Sequence, residues 1–333
     1  MKAIKFLLIF LLVAGSLTAG CLSDYAGESG KDIKTVKDIK NYASSDSNLS
    51  KAVSESLSEF PLTVRDDFGS LVTIERPPER IVSLAPSNTE NLFALGLGSK
   101  IIGVTDYCNY PPEAKKKTKV GGYSTINIEK VVSLKPDLVV ASYGNGKQNV
   151  DVMRDLGLTV IAFNPKKLED VKENIILLGK ITGTGKKAQE IVMMMDEKIN
   201  KIKLEYKSRP RVAHILWHDP IWVSGGDTFI DELIYLAGGE NVFSGLDGWK
   251  IVSKEDLLQK NPDVILVSSG SGMGGQGKDL IYEWVMTELG DVKAVKENRV
   301  YVVDADIISR PSYRLVYALE DIAKILHPEI FGK

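Results

Sequence analysis

GKKAQEIVMMMDEKINKIKLEYKSR, residues 185–209, reads as one long amphipathic helix. Ala188, Ile191, Val192, Met195, Ile199, Ile202 and Tyr206 recur at steps of three and four with Lys, Glu and Asp between them, which lays the apolar side chains along one stripe. Gly183 and Gly185 precede the stretch and Pro210 closes it. Roughly 24 residues at about 1.5 Å each make a rod of roughly 36 Å, enough to cross a whole lobe.

The sequence before this helix is echoed after it. IEKVVSLKPDLVVAS (residues 128–142) aligns without a gap on KEDLLQKNPDVILVS (residues 254–268), setting Glu129 on Glu255, Pro136 on Pro262 and Asp137 on Asp263. Upstream of each lies an apolar run that passes through a turn into a helix-periodic segment: RIVSLAPSNTENLFALGLG (residues 80–98) and RVAHILWHDPIWVSGGDTFIDELIYLAGG (residues 211–239). The repeat is too long for a solenoid unit. Two similar α/β lobes, Rossmann-like and with parallel sheets, joined by one long rigid α-helix, account for it.

Length and composition agree with that count. The chain has 333 residues, 44% of them apolar, which suits two domains with ordinary cores. A net charge of −2 gives no nucleic-acid footprint. Two cysteines, Cys21 and Cys108, and three histidines are too few for zinc ribbons, iron–sulfur clusters or a disulfide framework.

Lys2 and Lys5 lead an apolar stretch, residues 6–20, that ends in Thr18, Ala19 and Gly20 before Cys21. The stretch is short for a membrane span, which needs about 20 residues, and suits a signal h-region. LTAGC (residues 17–21) resembles a lipoprotein cleavage box, with Leu17 one place further from the cysteine than usual. Cys21 is therefore the candidate lipidation site, tethering the protein to the outer face of the membrane. An ordinary secretory signal or an uncleaved anchor are the alternatives, and all three place the domain outside the cell. Cys108 is then unpaired, so a buried or shielded thiol is expected. The expected organisation is a signal peptide (1–20), a lipid-anchored flexible stalk (21–58), an N-terminal α/β lobe with a leading β-hairpin (59–184), the linking helix (185–209) and a C-terminal α/β lobe (210–333).

The stalk is rich in Lys, Asp, Ser and Asn and has little to bury. The hairpin is expected in PLTVRDDFGSLVTI (residues 61–74) around Asp67, Phe68 and Gly69. Strands follow at 80–84, 101–104, 138–141 and 159–163, then at 212–216, 264–267 and 300–303. Helices are expected at 88–97, capped by Ser87 or Asn88, at 168–181 and at 312–326. Continuous apolar strands alternating with helices indicate sheets covered on both faces, and ligands of such sheets sit beyond the C-terminal strand ends. The loops at 85–88, 106–112, 121–126 and 143–147 are thereby marked, as are those carrying Trp217 and His218, Trp249 and Lys250, residues 270–277 and residues 304–310.

Tyr107 and Tyr123 from the first lobe and Trp217 and Trp249 from the second converge on that edge, offering faces for a large, flat, partly apolar ligand; Trp222 reads as core. The run GMGGQGKD (residues 272–279) imitates a dinucleotide fingerprint and a P-loop, but Asp279 stands where a P-loop needs Ser or Thr, so a loop at the cleft mouth is the better reading. His214 and His218 are four apart on a strand and loop, a spacing that does not bring them to one face; His214 reads as packed. No Ser/His/Asp or Cys/His arrangement is identifiable. Glu129 and Glu255 charge the first turn of their helices. Their equivalent placement also suits a two-fold symmetric partner presenting arginine clusters.

At residues 80–96, 102–114 and 126–142, and in ENVF (240–243), VSKEDLLQKNPDVIL (252–266) and SRPSYR (309–314), the chain resembles the helical-backbone class of ABC-transporter substrate-binding proteins, which includes vitamin B12, siderophore and haem binders. The resemblance runs from residue 61 to about residue 331 and is strongest to the cobalamin binders. It implies the class III periplasmic-binding-protein fold, no enzymatic activity, no cofactor, and docking on a dimeric ABC permease with its ATPase subunits, whose arginines meet Glu129 and Glu255. It implies corrinoid contacts at Tyr107, Tyr123, Trp249 and Trp217, with Asp306 nearby. Tyr123 stands where the class has tryptophan, and Cys108 has no partner for the bacterial disulfide. Siderophore binders use arginine at the cleft, a role open to Arg310.

The function these readings select is capture of cobalamin or a related corrinoid and its delivery to an ABC importer, with Asp306 and His218 as polar contacts and His218 able to approach the corrin metal. An iron(III)-siderophore or haem binder is the alternative within the class. A nitrogenase-like or dehydrogenase-like enzyme on a related fold is the alternative outside it.

Overall fold

A computed structural model describes residues 60–269 and 279–332, and Pro61–Lys333 forms one compact unit. The expected signal segment, Cys21 and the stalk lie outside the described residues, as does the glycine-rich run 270–278.

β1 (Leu62–Arg65) and β2 (Leu71–Ile74) pair antiparallel, with Arg65 opposite Leu71. Gly69 turns the chain at φ +84, a conformation that strains any residue with a side chain. The hairpin docks on the first sheet through Asp66 and Asp67: Asp67 N donates to Ala162 O at 3.0 Å, and Ala162 N donates to Asp66 Oδ2 at 3.1 Å.

The first sheet is wholly parallel. It contains β3 (Ile81–Ser83), followed by α1 (Pro86–Ala94); β4 (Ile101–Val104); β5 (Thr118–Lys119), followed by α2 (Ile128–Ser133); β6 (Leu138–Ser142), followed by α3 (Lys147–Asp155); and β7 (Val160–Phe163). The order is β5-β4-β3-β6-β7. α1 starts earlier than its Ser/Asn signal suggests, because Pro86 occupies its first turn and Ala85 is the N-cap; a proline is pre-set for that position and gives up no needed N–H.

α4 (Leu168–Thr182) and α5 (Gly185–Ile202) form the antiparallel pair that leaves the first lobe. At Gly179 an added Cβ would lie 2.4 Å from the Ala188 Cβ, so glycine lets the two backbones approach. Ala188, Ile191, Met195 and Ile202 of the expected stripe are buried. α5 is shorter than expected. Its 18 residues span about 27 Å, because Lys203 leaves the helical region (ψ 83). Tyr206 instead hydrogen-bonds through its hydroxyl to Ile202 O at 2.5 Å and stacks on His327 at 4.4 Å.

The second lobe comprises β8 (Arg211–His218), β9 (Ile221–Ser224), α6 (Phe229–Leu236), β10 (Glu240–Asn241), β11 (Trp249–Val252), α7 (Lys254–Lys260), β12 (Val264–Ser269), α8 (Leu280–Glu288), α9 (Lys293–Lys296), β13 (Val300–Asp304), α10 (Ala305–Ile308), α11 (Leu315–Leu326) and α12 (Pro328–Phe331). Its sheet runs β11-β9-β8-β12-β13 with β10 beside β8. It is not wholly parallel, since β9 runs against both its neighbours. Only Asp219 and Pro220 separate β8 from β9, whereas a parallel return needs a crossover of a dozen or more residues.

The sequence repeat is also a structural repeat. Arg80 N donates to Asp137 Oδ1 and Arg211 N to Asp263 Oδ2, both at 2.8 Å. Ile81 pairs with Leu138 and Val212 with Val264, and Lys135 (φ 48) and Asn261 (φ 44) take the same left-handed turn. Each lobe keeps its own apolar cluster, one around Val82, Val139 and Met153, the other around Ile215, Ile265 and Val285. α5 bridges the two: Lys172 of α4 pairs with Asp196 at 2.8 Å, and Lys198 pairs with Glu320 of α11 at 2.7 Å.

Candidate ligand cleft and docking helices

The C-terminal strand ends of the two sheets meet through a polar cluster. Arg310, which follows α10, directs NH1 to Glu90 Oε1 at 3.0 Å and to Asn109 Oδ1 at 2.7 Å. Its NH2 reaches Asp306 Oδ1 at 2.5 Å and Tyr107 O at 3.4 Å. Asn109 Nδ2 donates to Asp306 Oδ2 at 2.6 Å. Glu90 also accepts from Ser312 Oγ at 2.6 Å and from Arg314 NH1 at 3.2 Å. Arg314 lies over the Tyr110 ring at 3.9 Å. Burial pushes the Glu90 carboxyl above the usual range, while Ser312, Arg314 and Arg310 pull it back. Arg310 is thus buried and engaged by four acceptors with four of its five N–H groups, so it is not available as the open anion fork that the sequence allowed. Asp306 likewise points into the cluster.

The aromatic residues divide into three situations. Tyr107 and Trp217 are exposed, by 38% and 36%, and present open faces just after β4 and near the end of β8. Tyr123 is half-buried at the end of β6, its hydroxyl 2.9 Å from Ser142 Oγ and its carbonyl accepting from Asn145 at 2.7 Å. Trp249 does not sit in a strand-end loop. It opens β11 opposite Ser224, half-buried, with its ring edge-on to His214 (6.5 Å) and Phe229 (5.9 Å). That is three residues, about 10 Å, from Val252, which pairs with Ile221 at the edge of the sheet. Trp222 is half-buried on β9, paired with Trp217.

Tyr143 is a further aromatic at this edge, outside the set that the sequence marks. It follows β6 directly and is 64% exposed, with Phe68 edge-on at 6.4 Å and Lys166 Nζ 5.5 Å from its ring centre. Its loop was marked by the strand-end rule, and a tyrosine immediately after an all-apolar strand was the available signal.

The histidines behave differently from one another. His214 is fully buried as expected, its Nδ1 2.6 Å from Ser224 Oγ and its Nε2 2.8 Å from Ser268 Oγ. Burial drives its pKa down to about 3, so it is neutral in the fold. His218 lies between the rings of Trp217 (5.0 Å) and Trp284 (6.1 Å). Its Nδ1 is buried without a hydrogen-bond partner. Cys108 is a buried free thiol, as expected, with Thr89 and Thr105 hydroxyls at 3.2 Å. Among the described residues no group of three His, Cys, Asp or Glu side chains could hold a metal ion.

Glu129 and Glu255 stand in the first turns of α2 and α7, both exposed, and no ion pair engages either carboxylate among the described residues. Each helix start is fixed by a side-chain cap: Asn127 accepts from Lys130 N at 2.8 Å, and Ser253 from Asp256 N at 3.0 Å. The caps leave the glutamates free to face outward, at the positions the sequence repeat aligns.

Two linked α/β lobes, an aromatic-edged junction at their strand ends and two matched acidic helix starts define a substrate-binding protein of the helix-linked kind. A model of the family described as periplasmic binding protein matches residues 81–307, and the chain belongs to that family. It is 35% identical over 282 residues to an uncharacterized ABC transporter substrate-binding lipoprotein, YvrC, of Bacillus subtilis (82% of this chain, 87% of that one). It is 31% identical over 261 residues to the vitamin B12-binding protein of Vibrio cholerae (77% and 92%), and the crystal structure of periplasmic BtuF of Vibrio cholerae superposes with a TM-score of 0.64 (77% of this chain, 99% of that one). The periplasmic heme-binding protein RhuT of Roseiflexus sp. RS-1, 25% identical, superposes with a TM-score of 0.67 over 76% of this chain and 99% of that one. The fold is the class III periplasmic-binding-protein fold. The protein is thus the binding component of an ABC importer, outside the cytoplasm, and these relatives are described as substrate-binding or ligand-binding proteins.

Proposed function

We propose that this protein captures cobalamin or a related corrinoid at the junction of its lobes and, anchored to the membrane through a lipid on Cys21, delivers it to a dimeric ABC permease. The observation that carries the ligand class is the pairing of open aromatic faces at Tyr107, Tyr143 and Trp217 with two arginines that present no open fork. Arg310 is filled by protein acceptors, and Arg314 lies on Tyr110 and Glu90. A large, flat, neutral molecule suits such an edge, whereas haem with its two carboxylates and anionic ferric chelates favour a free guanidinium. The likeness to vitamin B12 binders supports the same reading.

His218 fits a donor role better than metal ligation. A buried aromatic setting tolerates a bare Nδ1 lone pair more easily than an unsatisfied N–H. In that arrangement Nε2 is the nitrogen that donates to an amide carbonyl of the ligand. Glu129 and Glu255 supply the acidic contacts for the permease.

Titration with cyanocobalamin, followed by calorimetry, is expected to give saturable one-to-one binding. Trp217→Ala should weaken it by about ten-fold or more, the loss of one desolvated aromatic contact. Saturable binding of haem or a ferric siderophore with none of cyanocobalamin would overturn the corrinoid reading. A second expectation concerns delivery: reversing both Glu129→Lys and Glu255→Lys should cut uptake in vesicles bearing the permease by more than about ten-fold, since opposed charges at a rim become like charges. Ligand affinity should be unchanged, and normal uptake by the double variant would remove the docking role.

A further inference from the structure

Two sequence motifs remain without a role in ligand contact: the PSNTEN turn that opens α1 and the SRPSYR run ahead of α11. They meet at Glu90, whose side chain has no solvent exposure. We propose that Glu90, Arg310 and Arg314 form an interlobe clamp, and that Glu90 is a positioning residue that sets ligand residence by fixing the aperture between the two aromatic edges.

Three observations carry this. First, the clamp crosses the seam: Glu90 belongs to α1 of the first lobe, whereas Arg310, Ser312 and Arg314 all belong to the second. Tyr313 N adds a bond to Asn91 Oδ1 at 3.0 Å. Second, the same arginine holds the segment that carries an exposed cleft aromatic. Arg310 binds Tyr107 through its carbonyl and Asn109 through its side-chain oxygen, while Asn109 reaches across to Asp306. The clamp and the Tyr107 loop are one hydrogen-bonded body.

Third, packing leaves space beside the clamp. An open groove of about 540 Å³ is lined by Phe93, Tyr110 and Glu113 of the first lobe next to Glu90, with Tyr313 its lining residue from the second. Where packing leaves space, directional polar bonds hold two bodies at a fixed spacing, since their geometry tolerates little displacement. The charges of Glu90 and Asp306 balance those of Arg310 and Arg314, so the clamp closes without drawing on the ligand.

The test is hydrogen exchange on the full-length chain carrying Glu90→Gln, which keeps shape and removes the charge that both arginines share. Arg310→Lys serves as a second variant that keeps charge and loses the four-acceptor geometry. The amides of Cys108, Ser309 and Tyr313 are expected to exchange about ten-fold faster or more in both variants, while those of β3, β6, β8 and β12 stay at wild-type rates. Unchanged exchange at the three amides, or an equal acceleration throughout both sheets, would overturn the clamp.

The ligand arm rests on the corrinoid reading. Cyanocobalamin should leave Glu90→Gln about ten-fold faster with little change in association rate; loosened amides with an unchanged dissociation rate would overturn the positioning role. If the wild-type chain binds no corrinoid, that reading falls, and the exchange measurement, which needs no ligand, still decides the clamp.

Discussion

Asp66→Ala is expected to lower the free energy of unfolding by about 3–5 kcal/mol, the cost of removing one partner from a buried ion pair. Asp66 Oδ1 accepts from Phe68 N at 3.0 Å and Ser70 N at 2.9 Å, closing the β1–β2 turn. Its Oδ2 accepts from Ala162 N at 3.1 Å and pairs with Arg154 NH2. Arg154, only 19% exposed in its side chain, also donates to Val160 O at 3.1 Å and Ser70 Oγ at 2.9 Å. Truncation therefore leaves the buried Ala162 N–H and the part-buried Phe68 and Ser70 N–H groups without their acceptor, takes from Arg154 its close carboxylate and leaves it the more distant Asp151 at 3.6 Å, and the hairpin loses its hold on β7. Asp66→Asn should cost a large part of the same amount, because one amide oxygen cannot serve donors on both sides. Urea unfolding of the purified protein measures both, and a change below about 1 kcal/mol, within the reach of a surface residue, would show that water replaces the carboxylate.

Acidification should destabilise the protein through His214 by about 1.4 kcal/mol per pH unit between pH 6.5 and about 3. The folded pKa lies below the unfolded one, so across this window the unfolded chain binds the extra proton and folding stability falls as pH falls. Above pH 6.5 both states are neutral and the contribution is constant. The physical cause is full burial between Ser224 and Ser268, where a neutral ring can donate to one hydroxyl and accept from the other, and an imidazolium has no counter-charge. Carboxylates titrate in the same range, so the quantity to measure is the difference between wild type and His214→Asn. Unfolding midpoints taken from pH 7 to pH 4.5 should converge as the variant's lower starting stability meets the wild type's decline. Parallel curves would mean that His214 protonates in the fold without penalty.

Sequence and structure agree most closely where local chemistry is self-contained. The apolar stripe of α5, the alignment of residues 128–142 on 254–268, the hairpin turn at Gly69 and the burial of Cys108 and His214 follow from periodicity, turn chemistry and residue counts. Each needs only neighbours in the chain or a choice between buried and exposed. The matched turns at Lys135 and Asn261, and the matched bonds of Asp137 and Asp263, show that the repeat extends to hydrogen bonding.

The tertiary structure decided what distant segments do to one another. The end of α5 depends on Tyr206 finding His327, which is far along the chain. The reversal of β9 depends on the two residues available to return from β8. Trp249 could be assigned to a loop from sequence, but its pairing with Ser224 places it within the sheet against His214 and Phe229. Arg310 carried an open role because a charged side chain after a strand can face either ligand or protein. Its partners Glu90 and Asn109 lie some two hundred positions away in sequence, and no spacing rule reaches that far. Backbone periodicity is a property of consecutive residues and is written in their order, whereas the pairing of a buried charge is set by whichever opposite charge the fold brings within about 3 Å.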